Sequence, residues 1–331
     1  MQDPTVAIVM PAYNAETYLP RALGAAIVAA EGAPVVVVDP VSDDATAECA
    51  DRLGARVIRL GRRAGPAEAR NEGVRHVDAD VLLFIDSDCV ASPDVVHRVK
   101  AAFGADPNLV SLTGSYDASP PEPGFFSGYM NLRHHFTHQT AETENASFWA
   151  GCGAVRRDAF QAVGGFDAER FPRPQIEDIE LGTRLAAKGR TALDPRLNVK
   201  HLKRWTLRSV VSTDILERGM PWSRLILEMG EMPNDLNLRL SQRIAAALSP
   251  LVLASLVVLP AAALTGAWVL AAAAGALIAI SIGMHRGMIR CFAEARGPLF
   301  ALGGWAFQQV HLCYSAVTFV VCRLLWKSKR A

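Results

Sequence analysis

From Ile244 to Met284 the chain runs for 41 residues without a charged side chain. About 20 apolar residues already carry a helix across a bilayer core, so this stretch has the length of two crossings. Pro260 and Thr265-Gly266 interrupt it in the middle, which predicts spans at 244–264 and 267–284 joined by a tight turn. Burying both in a soluble protein would take a second large domain, and the sequence holds no material for one. A basic loop, His285-Arg286-Gly287 through Arg290 and Arg296, comes next, followed by a further apolar segment, 299–326, and a tail with Lys327, Lys329 and Arg330. If the front of the chain is cytosolic, two crossings return the basic loop to the cytosol, as the positive-inside rule expects. A third crossing would put the basic tail outside. Gln308, Gln309 and His311 in mid-segment also make a lipid-exposed span costly, so 299–326 reads either as a crossing or as a re-entrant or interfacial helix.

The 34 Lys+Arg and 33 Asp+Glu nearly cancel, which speaks against a nucleic-acid partner, since phosphate neutralisation needs a basic footprint. The balance hides a split: 8 basic residues against 1 acidic from residue 241 onward, 26 against 32 before it. Between the two parts, 205–243 places Leu207, Val210, Val211, Ile215, Leu216, Trp222, Leu225, Ile226 and Leu227 among Arg204, Arg208, Arg218 and Arg224. That spacing fits amphipathic helices lying on anionic headgroups, or equally helices packed on the front domain. The six cysteines show no C-x-x-C and no metal-ligand spacing, so neither zinc nor a disulfide framework is expected. Met1 to Thr5 leads into strand-like Val6–Met10 without the basic n-region of a secretory signal, and the front domain is expected to start in the cytosol.

That front domain carries short, continuous apolar runs at Val6–Met10, Val35–Val38, Arg56–Leu60, Val81–Ile85 and Leu109–Leu112. Runs without alternation suit a mostly parallel sheet covered on both faces, and stretches such as Asp43–Leu53 and Pro66–Val77 are long enough for crossover helices. The class is α/β. Ligands in such sheets sit at the carboxyl ends of strands, which directs attention to Tyr13, Asn14, Asp39, Asp86 and Asp88. Phe84-Ile85-Asp86-Ser87-Asp88 sets two carboxylates at a strand end. Strand alternation points both the same way, and their repulsion calls for a hard divalent cation, Mg²⁺ or Mn²⁺. Glu177-Asp178 opens a helix-like stretch running to Ala187, where the N-terminal dipole favours carboxylates. Arg133-His134-His135 with His138 reads as a solvated or headgroup-facing helix face.

Several blocks resemble family 2 glycosyltransferases with a GT-A fold. They are Val9-Met10-Pro11-Ala12-Tyr13-Asn14, then Val36–Asp39 with Ser42, Asp43 and Thr46, then Gly65–Gly73 and the D-x-D. Gly151–Arg157, Val163–Asp167 and Glu177–Leu181 continue the series in order over roughly residues 5–205, and the rest resembles the membrane tails of bacterial members. The resemblance implies that Pro11, Tyr13 and Asp39 hold the base and ribose, that Arg70 lies near the base or diphosphate, and that Ser87 and Arg204 belong to the donor site. It implies Asp88 as principal metal ligand, with Asp86 supporting the donor's ribose or the metal and His201 completing the metal shell. Asp178, beside Glu177, becomes the general base, and Trp149, Gly151 and Trp205 the acceptor side. His201-Leu202-Lys203-Arg204-Trp205 is similar to the Q-x-x-R-W element of processive synthases with His for Gln, which weakens any claim of processivity. A second departure is Asp39-Pro40-Val41-Ser42 where the family commonly has Asp-Asp-Gly-Ser. Valine takes a positive φ with difficulty, so the loop by the base is expected to change shape.

The expectation is therefore a catalytic domain over 1–204, interface helices over 205–243 and membrane helices over 244–331. The activity implied is metal-dependent, inverting transfer of a sugar from a nucleotide-diphosphate donor to a lipid-linked or cell-envelope acceptor, at the plasma membrane with the catalytic domain cytoplasmic. A sugar-phosphate nucleotidylyltransferase is the rival enzyme, but Ala12-Tyr13-Asn14-Ala15-Glu16 lacks its Gly-rich basic phosphate loop. A membrane-tethered nucleotide-sugar-binding protein without catalysis is the other alternative; intact Asp88 and Asp178 argue against it.

Overall fold

The structure is a computed structural model that describes residues 3–144, 147–230, 232 and 238–328. Glu231, residues 233–237, Lys329 and Arg330 of the expected interface segment and tail lie outside the described residues, as does the side chain of Lys327. The chain divides into two compact units, Met1–Pro123 with Thr137–Arg204, and Gly124–Phe136 with Trp205–Ala331. Residues 124–136, expected from sequence in the catalytic domain, thus group with the second unit.

Among the described residues the first unit is built on eight strands: β1 (Val6–Pro11), β2 (Val35–Asp39), β3 (Arg56–Arg59), β4 (Val81–Ile85), β5 (Cys89–Ala91), β6 (Leu109–Tyr116), β7 (Cys152–Arg156) and β8 (Arg190–His201). Their order is β3-β2-β1-β4-β7-β6-β8-β5. The β3, β2, β1 and β4 pairings are parallel, as is β6 with β8, while β7 runs antiparallel to both β4 and β6 and β5 antiparallel to β8. The unbroken apolar runs are explained by two cores. Val6, Ile8 and Met10 of β1 and Val81, Leu83 and Ile85 of β4 face one, with Leu19, Leu23 and Ala26 of α1 (Leu19–Ala30) and Val95, Val96 and Val99 of α4 (Val95–Ala105). Ala7, Val9, Leu82 and Phe84 face the other, with Ala67 and Val74 of α3 (Pro66–Arg75) and Leu181 and Leu185 of α7 (Glu177–Ala186). Helices on both faces leave no polar side to a strand, so alternation disappears. Helices α2 (Thr46–Arg52) and α6 (Arg157–Ala162) complete this unit, to which α5 (Phe125–Thr140) contributes its last turn.

The second unit holds the rest of α5, then α8 (Leu207–Ser212), a π-helical turn (Thr213–Gly219), α9 (Met220–Met229), α10 (Leu240–Leu264), α11 (Trp268–Met284), α12 (Arg286–Arg296) and α13 (Pro298–Ser328). Among the described residues two helices, Leu240–Leu264 and Pro298–Trp326, are long and apolar enough to cross a membrane. The expected second span is different from its sequence reading: α11 has only 17 residues and bends by 70° into α12, so that the pair makes up to one further span. Pro260 does not end α10, which runs on to Leu264; the break falls at Gly266, at φ 73°.

The polar residues of α13 also depart from expectation. Gln308 and Gln309 are buried, and Gln308 Oε1 accepts a 2.5 Å hydrogen bond from the Tyr129 hydroxyl. His311 Nδ1 stands 3.0 Å from Asp214 Oδ2, and the Tyr314 hydroxyl donates to the same oxygen at 2.7 Å. Arg133 donates to His311 Nε2 and stands 3.8 Å from Asp214, and Arg218 is 3.5 Å from it. This polar seam faces protein, so the cost anticipated for a lipid-exposed Gln-Gln-His stretch does not arise. Arg133 and His138 are likewise buried, correcting the reading of their helix face as solvated. Around the seam Tyr129, Met130, Leu132, Trp205, Val210, Met288, Phe292 and Ala301 form an apolar core.

Candidate active site

Strand β4 ends at Ile85 and gives way to a turn in which Cys89 N–H donates to Asp86 C=O at 2.9 Å. Strand alternation stops there, and Asp86 and Asp88 take different partners. Asp86 Oδ1 lies 2.7 Å from Arg70 Nη2, whereas Asp88 Oδ2 lies 3.3 Å from His201 Nε2. His201 reaches that place because β5 pairs with β8 in a register that sets Cys89 opposite His201. Burial disfavours the Asp88 carboxylate, but His201 and Lys203 outweigh it and hold its pKa below the ordinary value; Asp86, dominated by burial, is pushed up.

Arg70 is 4% exposed. Its Nη1 donates to Glu177 Oε1 at 2.9 Å and its guanidinium covers the Phe166 ring at 5.3 Å. Phe166 is clamped by Asn71, whose amide donates to Phe166 C=O at 2.8 Å and accepts from Phe166 N–H at 2.9 Å. Sequence reasoning missed both residues; their signal lay in the blocks Arg70-Asn71 and Gly165-Phe166, quoted as pattern and not as parts.

Glu177 and Asp178 open α7 as expected. Asp178 Oδ1 accepts from Ile179 N–H at 2.8 Å and Oδ2 from Ala150 N–H at 3.2 Å. Burial, then the charge of Glu177, raises the Asp178 pKa to about 7 against the opposing pull of Arg70. One residue on, Gly151 C=O accepts from Asp86 N–H at 3.4 Å. The loop at 149–151 therefore bonds both to the carboxylate that begins α7 and to the turn that ends β4. A Cβ at Gly151 would stand 2.3 Å from the Trp149 ring, so the backbone lies directly against that indole. Trp149 meets Tyr116 edge-on at 4.7 Å, and Tyr116 stacks on His201 at 4.6 Å and 12°. Tyr116 closes β6 in a run that ends Gly-Ser-Tyr, and nothing in that pattern marks it.

The residues expected on the nucleotide side sit at the ends of β1 and β2. Asp39 is buried and its Oδ1 accepts from Ser42 N–H at 2.8 Å and from the Ser42 hydroxyl at 2.6 Å. Val41 adopts φ 63°, a left-handed conformation that a β-branched residue takes with difficulty. The Asp39–Ser42 bonds and the Asn14 N–H donation to Ser42 Oγ at 3.0 Å hold it there. Tyr13 is 43% exposed, with Arg63 over its ring at 5.6 Å. Pro11 ends β1, Ser87 lies in the turn between the two acids, and Arg204 is exposed at the end of the first unit. Trp205 is placed in the second unit, where its N–H donates to Ser127 Oγ at 2.8 Å. Cys152 is buried and its thiol is pushed up to about 12, which removes it as a nucleophile.

Among the described residues no group of three or more His, Cys, Asp and Glu is placed to hold a metal ion by itself. Asp88 and His201 offer one oxygen and one nitrogen facing each other. That donor set fits Mg²⁺ or Mn²⁺, which take few protein ligands and keep positions for water and phosphate.

Residues 7–164 match the model of glycosyl transferase family 2. The chain is 32% identical over 223 residues to validoxylamine A glucosyltransferase of Streptomyces hygroscopicus subsp. limoneus, covering 56% of this chain and 49% of that one. It is 24% identical over 262 residues to the UDP-forming cellulose synthase 1 catalytic subunit of Komagataeibacter xylinus, covering 73% and 34%. An undecaprenyl-phosphate 4-deoxy-4-formamido-L-arabinose transferase of Edwardsiella ictaluri is 31% identical over 107 residues, covering 29% and 33%. The chain thus spans about half the length, or less, of these relatives. Among solved structures, a mannosyltransferase from Pyrobaculum calidifontis in complex with GDP-Man and Mn²⁺ superposes with a TM-score of 0.58 at 17% identity, over 97% of this chain and 88% of that one. With that fold and that match over residues 7–164, the chain carries a glycosyl transferase family 2 domain in a GT-A-like architecture.

Proposed function

We propose that the protein transfers a sugar from a nucleoside diphosphate donor to a hydroxyl of a lipid-linked or cell-envelope acceptor, with inversion at the anomeric carbon. The observation that carries this reading is the 149–151 loop, whose backbone joins Asp178 to the Asp86 turn and so sets a carboxylate with a pKa of about 7 near the Asp88–His201 pair. Asp39 and Ser42 form the ribose end, and Tyr13 offers a ring to the base. Asp88 and His201, with Asp86 behind them, would hold a divalent cation, which when bound neutralises charge on the departing diphosphate. Asp178 takes the proton of the acceptor hydroxyl as its oxygen bonds to the anomeric carbon; the bond to phosphate breaks and its electron pair leaves with the nucleoside diphosphate. A pKa near neutrality suits that exchange, since the group is ionised in part yet basic enough to accept.

The relatives support the acceptor class: one is named for undecaprenyl phosphate, another for cellulose. The helices α10 and α13 would keep the protein at the bilayer, where such acceptors reside, with the catalytic unit cytoplasmic; a return crossing by α11 would bring the basic α12 back to that side. A phosphate acceptor needs no base, so the placement of Asp178 favours a hydroxyl. The test is turnover of UDP-, GDP- and dTDP-sugars by the purified full chain with Mn²⁺ or Mg²⁺ and membrane lipid extract. Release of one nucleoside diphosphate with transfer of label is expected, and silence with every donor would overturn the reading.

A further inference from the structure

A buried arginine whose two terminal nitrogens each meet a carboxylate from a different element is poorly placed to meet a ligand. Arg70 is such a residue. It rises from α3 and donates to Asp86, at the end of β4, and to Glu177, at the start of α7, at 2.7 and 2.9 Å. Only 5% of its side chain is exposed, and the Phe166 ring supports it from below. Phe166 in turn packs on Phe84 of β4 at 5.2 Å and Phe160 at 5.7 Å, and Asn71 fixes its backbone. These contacts leave Arg70 no route to the surface without breaking an ion pair.

We propose that Arg70 is a positioning residue that ties the donor-side turn at Asp86 to the acceptor-side helix start at Glu177-Asp178, and that it touches neither substrate. The proposal rests on the reading of Asp178 as the base. Its physical content is a single cation shared by two acids 91 positions apart in the chain, both adjoining a reacting group in the next one or two residues. Without that cation, Asp86 and Glu177 stand near each other as like charges, and the two halves of the site lose their common reference. Misplacement on the order of 1 Å costs about 10²-fold in rate. The cation also acts on Asp178 in the sense opposite to Glu177: Arg70 favours its ionised form and Glu177 disfavours it.

Three variants of the full chain test this: Arg70→Met, Arg70→Lys and Glu177→Gln. Nucleoside diphosphate binding with Mn²⁺ is measured by calorimetry, kcat and KM against pH, and thermal melting between pH 4 and 8. Arg70→Met is expected to keep nucleotide affinity within a few-fold and to lose about 10²-fold in kcat. The acidic limb of its pH profile is expected to move upward, whereas that of Glu177→Gln moves downward, and Arg70→Lys recovers part of the rate. Opposite movements are something a merely loosened structure does not produce, and the melting profiles show them without turnover. Should Arg70→Met fail to fold, Glu177→Gln and Arg70→Lys decide by the same readouts. Nucleotide affinity lost more than tenfold in Arg70→Met or Arg70→Lys, with unmoved pH profiles, would make Arg70 a donor contact and overturn the proposal. Parent-like kcat and pH behaviour in the variants would also overturn it, whereas a parent protein without turnover on any donor defeats the reading of the site instead.

Discussion

Each unit of the molecule buries an arginine against carboxylate, and the two arrangements differ in how completely the charges are answered. Around Asp214 in the second unit, Arg133, Arg218, His311 and Tyr314 all converge on one carboxylate that is 4% exposed. Burial opposes its charge, but those partners hold its pKa well below the usual carboxylate range. Around Arg70 in the first unit, one cation serves Asp86 and Glu177, while Asp178 beside them has two backbone N–H groups and a raised pKa. A fully answered carboxylate is a fastener. One left short of positive charge, at the start of α7, keeps a higher basicity.

The largest expected effect tests the fastener. Asp214→Ala leaves Arg133 and Arg218 facing each other without their counter-ion, and the unfolding midpoint in detergent should fall by the equivalent of about 3–5 kcal/mol. Asp178→Asn gives up one acceptor for the two backbone N–H groups but also sheds a poorly answered buried charge, and should lower the midpoint by much less. Next in size is the pH dependence of stability. The Asp178 pKa of about 7 lies above its ordinary 3.8, so the folded protein binds that proton more tightly than the unfolded chain does. The stabilisation is complete below the ordinary value and is lost as pH rises through about 7. Asp178→Asn should flatten that part of the melting profile, and Asp214→Asn should not. Smaller again, Gly151→Ala sets a methyl group against the Trp149 ring and should cost about 1–3 kcal/mol, read by denaturant melting, with a larger loss in transfer. The smallest effect is expected from Val41→Gly, which relieves a β-branched residue at φ 63° and should stabilise by about 1 kcal/mol or less, since glycine also loosens the unfolded chain.

The strands with unbroken apolar runs were legible because burial on both faces leaves a mark on composition. Val81–Ile85 was read to the residue, and β1, β2 and β3 to within one. β8, Arg190–His201, was missed: it carries Asp194-Pro195 and three Lys or Arg residues, its apolar alternation is confined to Leu197 and Val199, and its place in the sheet comes from pairing with β6 and β5. The antiparallel β7 lies in a quoted family block, yet its direction is set by distant partners in β4 and β6. In the site, the acids could be located in sequence but their partners could not. The division of Asp86 to Arg70 and Asp88 to His201 arises from a turn at 86–89 that a D-x-D pattern does not specify. The inward seam of α13 was illegible for a related reason: Gln308 and His311 look costly in lipid until Tyr129 and Asp214 are known to face them.

The most direct measurement separates binding from transfer in Asp88→Ala and Asp178→Asn, using a nucleotide sugar that the parent turns over. Mn²⁺-dependent donor binding is read by calorimetry and transfer by release of nucleoside diphosphate. Asp88→Ala should lose the metal-dependent part of binding, while Asp178→Asn should bind as the parent does and lose about 10²- to 10⁴-fold in kcat. Transfer at the parent rate by Asp178→Asn would contradict its assignment as the base.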